Sequence, residues 1–166
     1  GVVILGALVI SFGIRAYLVQ TFSIPSESMV PTLEVGDRIL VNKQASDLGD
    51  LTRGDIVVFE RPDTLATSYD HLVKRLIGLP GDTVEGRDGQ VWIDGEPLAE
   101  PWLPAGVTTS AFGPVVVPDG QVFFMGDNRG ASEDSRGFGP VDADNIVGRV
   151  FFRIWPVGRI GTIDGG

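Results

Sequence analysis

Uncharged, mostly apolar residues run without a break from Gly1 to Ile14 (GVVILGALVISFGI). Arg15 interrupts them, and the mostly apolar stretch Ala16 to Phe22 follows. Beyond Phe22 the pattern changes to short apolar runs separated by Gly, Pro, Asp and Thr. Asp37–Lys43, Asp55–Arg61, Leu72–Leu79, Gln121–Met125 and Ile146–Trp155 read as strands, the last being the longest and stopped by Pro156. Thr83–Glu85 and Gln90–Ile93 flank Asp88-Gly89 as a hairpin, and Asp94-Gly95 makes the next turn. Glu96 to Pro118 is rich in Pro, Gly and Thr with weak periodicity, and is expected to be an excursion or flap over the surface. No internal repeat and no amphipathic helix follow residue 22. Many short strands with frequent turns predict a mainly antiparallel β domain with a small hairpin-rich insertion.

The leading run sets the domain plan. Fourteen uncharged residues rise about 21 Å as a helix, short of a hydrocarbon core of about 30 Å. The chain opens on Gly rather than Met. The expectation is the C-terminal part of a transmembrane helix whose start is missing, with residues 1–22 as anchor and 23–166 as one catalytic-size domain. A buried N-terminal helix and a signal-peptide core are the alternatives. No small-x-small cleavage pattern follows the run, which counts against the second.

Composition narrows the chemistry. A hydrophobic fraction of 43% supports a core, and 23 Gly with 11 Pro agree with a turn-rich chain. The absence of cysteine removes disulfides, thiol nucleophiles and thiolate metal sites. A net charge of −9 argues against nucleic acid as a partner, because phosphate binding needs clustered cations. Of the 13 basic residues only Lys43 and Lys74 are lysines, and only a lysine can lose its proton readily.

The densest candidate chemistry lies in Ile24-Pro25-Ser26-Glu27-Ser28-Met29-Val30-Pro31-Thr32-Leu33. Two prolines forbid a regular helix through it, so its serines sit on an irregular backbone. Ser28 is the candidate nucleophile, and a serine hydroxyl needs a neighbouring base. His71 is the only histidine, and neither GxSxG nor HExxH is present. A lysine base is the remaining choice, as in Ser–Lys variants of the triad. Lys74 lies within the apolar strand Leu72–Ile77, where burial would lower its pKa. Lys43 ends a strand beside Asn42 and Gln44 and remains the rival. Ser26 can donate to the oxyanion alongside the Ser28 N–H, or serve as a turn residue after Pro25. The polar stretch Gly126–Gly137 resembles a calcium loop only loosely, and its carboxylate spacing does not match. Asp127, Asp134 and Arg136 are expected to form one ion-pair network there, with Ser132 able to hydrogen-bond the lysine.

Four ordered motifs now stand together: Ile24–Leu33, Arg53-Gly54-Asp55-Ile56-Val57-Val58-Phe59, Val73-Lys74-Arg75-Leu76-Ile77-Gly78-Leu79-Pro80-Gly81-Asp82, and Gly126-Asp127-Asn128-Arg129 through Ser132, Asp134, Ser135 and Arg136. In these motifs the chain resembles bacterial type I signal peptidases, the membrane-anchored Ser–Lys proteases that remove signal peptides. The likeness runs from about Tyr17 to Gly161. It implies Ser28 as nucleophile, Lys74 as general base, Ser26 as oxyanion donor and Ser132 as the residue orienting Lys74. Asp127, Asp134 and Arg136 would support the site. Phe22, Ile24, Met29, Leu33, Leu72 and Val73 would shape shallow pockets for the small P1 and P3 side chains of Ala-x-Ala sites.

The resemblance further implies a monomer that needs no metal or organic cofactor. Its partners would be the signal peptides of exported preproteins and membrane lipid. It would be a single-pass protein with its catalytic domain on the extracytoplasmic face of the cell membrane. Two departures stand out. Gly130-Ala131 occupies a position where the family often has Asp, and Thr83–Gly120 is short beside larger members. A membrane-tethered β-rich binding module is the non-enzymatic alternative, and it expects an exposed Lys74. A self-cleaving Ser–Lys repressor would carry a DNA-binding domain, which this acidic chain does not show.

Overall fold

The computed structural model describes residues 2–163 and 165. Its elements in chain order start with helix α1 (Val2–Leu18), β1 (Val19–Ser23), β2 (Arg38–Asn42), β3 (Ile56–Glu60) and β4 (His71–Gly78). The small strands β5 (Thr83–Arg87), β6 (Gln90–Ile93), β7 (Glu96–Pro97) and β8 (Phe112–Val116) follow. The chain continues with β9 (Gln121–Met125), the one-turn helix α2 (Ser135–Phe138), β10 (Val141–Asp142), β11 (Ile146–Trp155) and β12 (Gly161–Thr162). The large sheet runs β1-β2-β11-β3-β4-β9-β10, with β12 added to β11; the small sheet runs β7-β6-β5-β8. Every pairing is antiparallel.

The unbroken apolar runs of the central strands follow from burial on both faces. In β3, Ile56 and Val58 pack with Ile24, Met29, Leu33, Ile39, Val41 and Val150. Val57 and Phe59 point the other way, to Leu51, Leu76, Val122, Phe124 and Ile146. Phe59 stacks on Phe124 with ring centroids 4.1 Å apart. A third cluster joins Val84, Val91 and Ile93 of the small sheet to Ile77, Phe123 and Met125 of β4 and β9. Gly78 marks that junction: a Cβ there would come within 2.7 Å of Val84 and 2.8 Å of Phe123.

Two expectations change. Glu96–Pro118 is not a flap. It supplies β7 and β8, and β8 pairs with β5 to complete the small sheet. The helical part of the expected anchor ends at Leu18, because Val19–Ser23 pairs in full register with β2 from Val19↔Asn42 to Ser23↔Arg38. The side chains of Val2, Val3, Ile4, Leu5, Leu8, Val9 and Ile10 on α1 are exposed. Among the described residues no helix is long and apolar enough to cross a membrane.

Candidate active site

The bend Ile24–Asp37 joins β1 to β2 and is clipped at its base like a wide hairpin. Ile24 N–H donates to the Asp37 carbonyl and Gly36 N–H to the Ile24 carbonyl, both at 2.9 Å. The buried Asp37 carboxylate accepts from Glu34 N–H at 2.9 Å and pairs with Arg153 at 3.1 Å and Arg159 at 3.3 Å. Arg153 also donates to the Thr32 carbonyl at 2.9 Å. Met29 and Leu33 turn into the core beneath the bend, and Ser26 and Ser28 are left on its other side, lining a cavity.

Lys74 lies in β4 opposite Val57 of β3. Its Nζ donates to Ser28 Oγ at 2.6 Å, and Ser26 Oγ donates to the same oxygen at 3.3 Å. Lys74 is 3% exposed and Ser28 8%. Burial lowers the Lys74 pKa from 10.5 to about 8, against the opposing pull of Asp134 and Glu133. A pKa of about 8 leaves about a tenth of Lys74 neutral at pH 7, about 300-fold more than an ordinary lysine. The binding-module alternative expects this lysine exposed, and it is not. Lys43, the rival base, is half-buried after β2 with its ammonium 5.4 Å over the Tyr17 ring, and it does not line the cavity of Ser28. His71 is half-buried with its ring 5.3 Å from Phe22.

The loop after β9 backs onto the serine bend. Asn128 N–H donates to the Ser28 carbonyl at 3.0 Å and Asn128 Nδ2 to the Glu27 carbonyl at 3.1 Å. The expected single network of Asp127, Asp134 and Arg136 divides in two. Arg136 holds Asp134 by paired hydrogen bonds of 2.8 Å. Asp127 instead takes Arg75 at 2.8 and 2.6 Å and the Thr32 hydroxyl at 2.5 Å. Asp127 lies in the turn at the end of β9, facing β4, so the arginine next to Lys74 reaches it before Arg136 does. Burial opposes ionisation of Asp134, but the hydrogen bonds from Arg136 and Gly126 N–H outweigh it and hold the carboxyl below its ordinary value of 3.8.

Ser132 does not make the expected contact with Lys74 and does not line the cavity. Its hydroxyl lies against Gly126, where an added Cβ would meet it at 2.1 Å. It lies beside Asp134, lowering that pKa in smaller measure. Among the described residues it makes no hydrogen bond of normal geometry, to Lys74 or to any other group. The pocket residues also divide. Ile24, Met29, Leu33 and Val73 are packed into the core, and Phe22 is half-buried against it. Only Leu72 of the six lines the cavity of about 220 Å³ that holds Ser26, Ser28 and Lys74. The remaining walls come from Glu27, Leu65, Thr67, Tyr69, Ala131 and Glu133. Leu65, Thr67 and Tyr69 sit in the β3–β4 connection, whose ordinary loop composition gave no sign of a role in the site.

The geometry permits acyl transfer. A buried amine with a lowered pKa touches a hydroxyl beside a second hydroxyl, in one cavity.

Residues 1–155 match the family described as signal peptidase, peptidase S26. The chain is 41% identical over 161 residues to a signal peptidase I of Leptolyngbya laminosa, covering 95% of this chain and 79% of that protein. It is 43% identical over 166 residues to signal peptidase I T of Bacillus subtilis, with 94% and 84% covered. A crystal structure of a signal peptidase I from Enterococcus faecalis is similar with a TM-score of 0.51 and 34% identity, covering 60% of this chain and 95% of that one.

Proposed function

Because the chain belongs to the signal peptidase I family of serine proteases, which cleave signal peptides, we propose that it works as a Ser28–Lys74 dyad forming an acyl-enzyme. The observation that carries this reading is the 2.6 Å hydrogen bond from a buried Lys74 to Ser28 Oγ. Neutral Lys74 takes the hydroxyl proton as Ser28 Oγ attacks the scissile carbonyl. The Ser28 N–H and the Ser26 hydroxyl hold the oxyanion. Collapse breaks the C–N bond, and Lys74 returns its proton to the departing amine, the new amino terminus of the mature protein. Water, deprotonated by Lys74, then releases the signal peptide from Ser28. Asp127, Asp134 and Arg136 keep the loop behind the bend in register, and Ser132 within it packs against Gly126.

The substrate is a preprotein with small residues at P1 and P3, of the Ala-x-Ala type. The cavity beside Ser28 is small, about 220 Å³, and Ile24, Met29, Leu33 and Val73 are packed into the core. An extended signal peptide adds along the free side of β1, which ends the large sheet. Helix α1 inserts its exposed apolar side chains in the lipid as the membrane part of residues 1–22. The domain 23–166 then stands on the extracytoplasmic face, in the plane where the substrate is held.

Cleavage of an Ala-x-Ala preprotein in detergent tests the dyad. Ser28→Ala and Lys74→Ala are each expected to abolish product, and Lys43→Ala to retain most of it. Full activity in Lys74→Ala sinks the mechanism. Removing residues 2–18 is expected to release the protein from vesicles; undiminished vesicle binding rejects the role given to α1.

A further inference from the structure

Arg129 is buried to 4% exposure, yet it belongs to no catalytic contact. Its Nε donates to the Gly126 carbonyl at 3.0 Å. Its Nη1 donates to Glu100 at 3.0 Å and to the Thr109 hydroxyl at 2.8 Å, and its Nη2 donates to the other Glu100 oxygen. Glu100 and Thr109 come from the chain between β7 and β8. Thr109 is buried and its N–H donates to the Gly89 carbonyl in the β5–β6 turn at 2.9 Å. The guanidinium therefore spans from the small sheet to the loop after β9.

That loop touches the Ser28 backbone directly. Asn128 N–H donates to the Ser28 carbonyl at 3.0 Å, and a Cβ added to Gly126 would come within 2.4 Å of the same oxygen. The Arg129 carbonyl also accepts from Arg136 at 2.8 Å. A buried guanidinium needs a carboxylate partner to offset its lost hydration. The buried carboxylates of this loop are occupied, Asp127 by Arg75 and Asp134 by Arg136, and Glu133 is exposed and lines the cavity of Lys74. Glu100, itself nearly buried, is the carboxylate that pairs with Arg129.

We propose that Glu100 and Thr109 are positioning residues for the cleavage reaction: through Arg129 they fix the Gly126–Asn128 backbone, which in turn holds Ser28 at its attack position. The small sheet thus sets the position of the nucleophile rather than being a separate appendage. The proposal rests on the reading of Ser28 as nucleophile. Without Glu100 the guanidinium turns toward water, the Gly126 carbonyl loses its donor, and the Asn128 N–H shifts against Ser28. Small displacements of a reacting atom are costly in rate, while Lys74, in β4, stays where it is.

Single-turnover cleavage of an Ala-x-Ala preprotein tests this, with Ser28→Ala as the reference for the nucleophile and Glu96→Gln, exposed in the same sheet, as control. Glu100→Gln is expected to lower the acylation rate about 10- to 100-fold, the range for a misplaced reacting group. KM and the pH midpoint of the acid limb stay unchanged. Thr109→Val is expected to act in the same direction more weakly, and Thr109→Ser to restore the rate. Combining Glu100→Gln with Asn128→Ala should cost less than the product of the two single effects, because both lie on one path. If Glu100→Gln does not fold, the Thr109 pair and Glu100→Asp carry the test. Wild-type acylation rates in folded Glu100 and Thr109 variants overturn the proposal even if melting temperatures fall. A Ser28→Ala protein that still cleaves overturns the underlying nucleophile reading instead.

Discussion

Arg75 and Asp127 face each other across β4 and the end of β9 in a two-bonded pair with no exposed side-chain surface on either partner. Arg75 also donates to the Gly54 carbonyl at 2.6 Å, and Asp127 accepts from Thr32 in the serine bend. One ion pair thus ties the strand of Lys74 to the bend of Ser28. Removing one partner of such a pair strands a buried charge, which costs about 3–5 kcal/mol.

Asp127→Ala is therefore expected to lose about 3–5 kcal/mol of stability in urea unfolding at pH 7. Asp82→Ala breaks the partly exposed pair with Arg53 and should cost less, although the Asp82 carboxylate also caps Leu79 N–H at 2.6 Å. Equal losses in the two variants would contradict the weight given to the Arg75–Asp127 pair.

The pH dependence of cleavage follows from Lys74. In the proposed mechanism the base acts neutral, and the Lys74 pKa is lowered by burial to about 8, so kcat/KM should rise with pH through about 8 and level off above it. Glu133 lines the same cavity and raises that pKa. Glu133→Gln removes a negative charge that favours the ammonium, so the acid limb should move to lower pH with little change in the plateau. A limb that moves upward, or not at all, rejects Glu133 as a neighbour of the working base. The pH–rate profile of the two proteins measures this directly.

The sequence made some of this arrangement legible for identifiable reasons. The bounds of β11 are legible because both ends of its apolar run are marked, by Asn145 and Pro156. β3 and β4 were readable because central strands, buried on both faces, keep unbroken apolar runs. β8 was not, because Gly113-Pro114 interrupts it and most of its residues are exposed at the edge of a small sheet. β1 was hidden because its apolar residues continue the run of α1. The contact of Lys74 with Ser28 was legible from residue type, because the chain has only two lysines and Lys74 alone lies inside an apolar strand. The partners of Asp127 and Arg129 were not, because charge alone does not say which of eleven arginines meets which carboxylate. Arg75 and Asp127 lie 52 residues apart, and only the antiparallel pairing of β4 with β9 brings them together.

Burying an ionisable amine has a cost in stability. With a folded-state pKa near 8 against 10.5 when unfolded, the unfolded chain holds more protons between those values, so stability rises with pH across that window. Below pH 8 the full penalty is present, about 3 kcal/mol from about 1.4 kcal/mol per pKa unit. Lys74→Met keeps most of the volume and removes the charge. It is expected to abolish cleavage yet raise stability at pH 7 by about 1–3 kcal/mol, with the gain fading as pH approaches 10.5. Urea unfolding of both proteins at pH 7 and pH 10 measures the two differences. A Lys74→Met protein less stable than wild type at pH 7 contradicts the account.

Ser26 separates ground-state contact from transition-state contact. Its hydroxyl donates to Ser28 Oγ over 3.3 Å, a long bond with little to lose. If the same hydroxyl turns to the developing oxyanion, its energy is gained only as charge builds on the substrate oxygen, so kcat falls without KM. Ser26→Ala is expected to lower kcat by about 10²–10³, the range for one oxyanion donor, with KM and melting temperature nearly unchanged. Ser26→Thr keeps a hydroxyl at the same carbon and should recover part of the rate. The pH midpoint should stay near that of Lys74 in both variants, since neither changes the charges around the amine. A Ser26→Ala enzyme with wild-type kcat and raised KM would assign the hydroxyl to substrate binding instead, and would leave the Ser28 N–H as the oxyanion donor that the bend supplies.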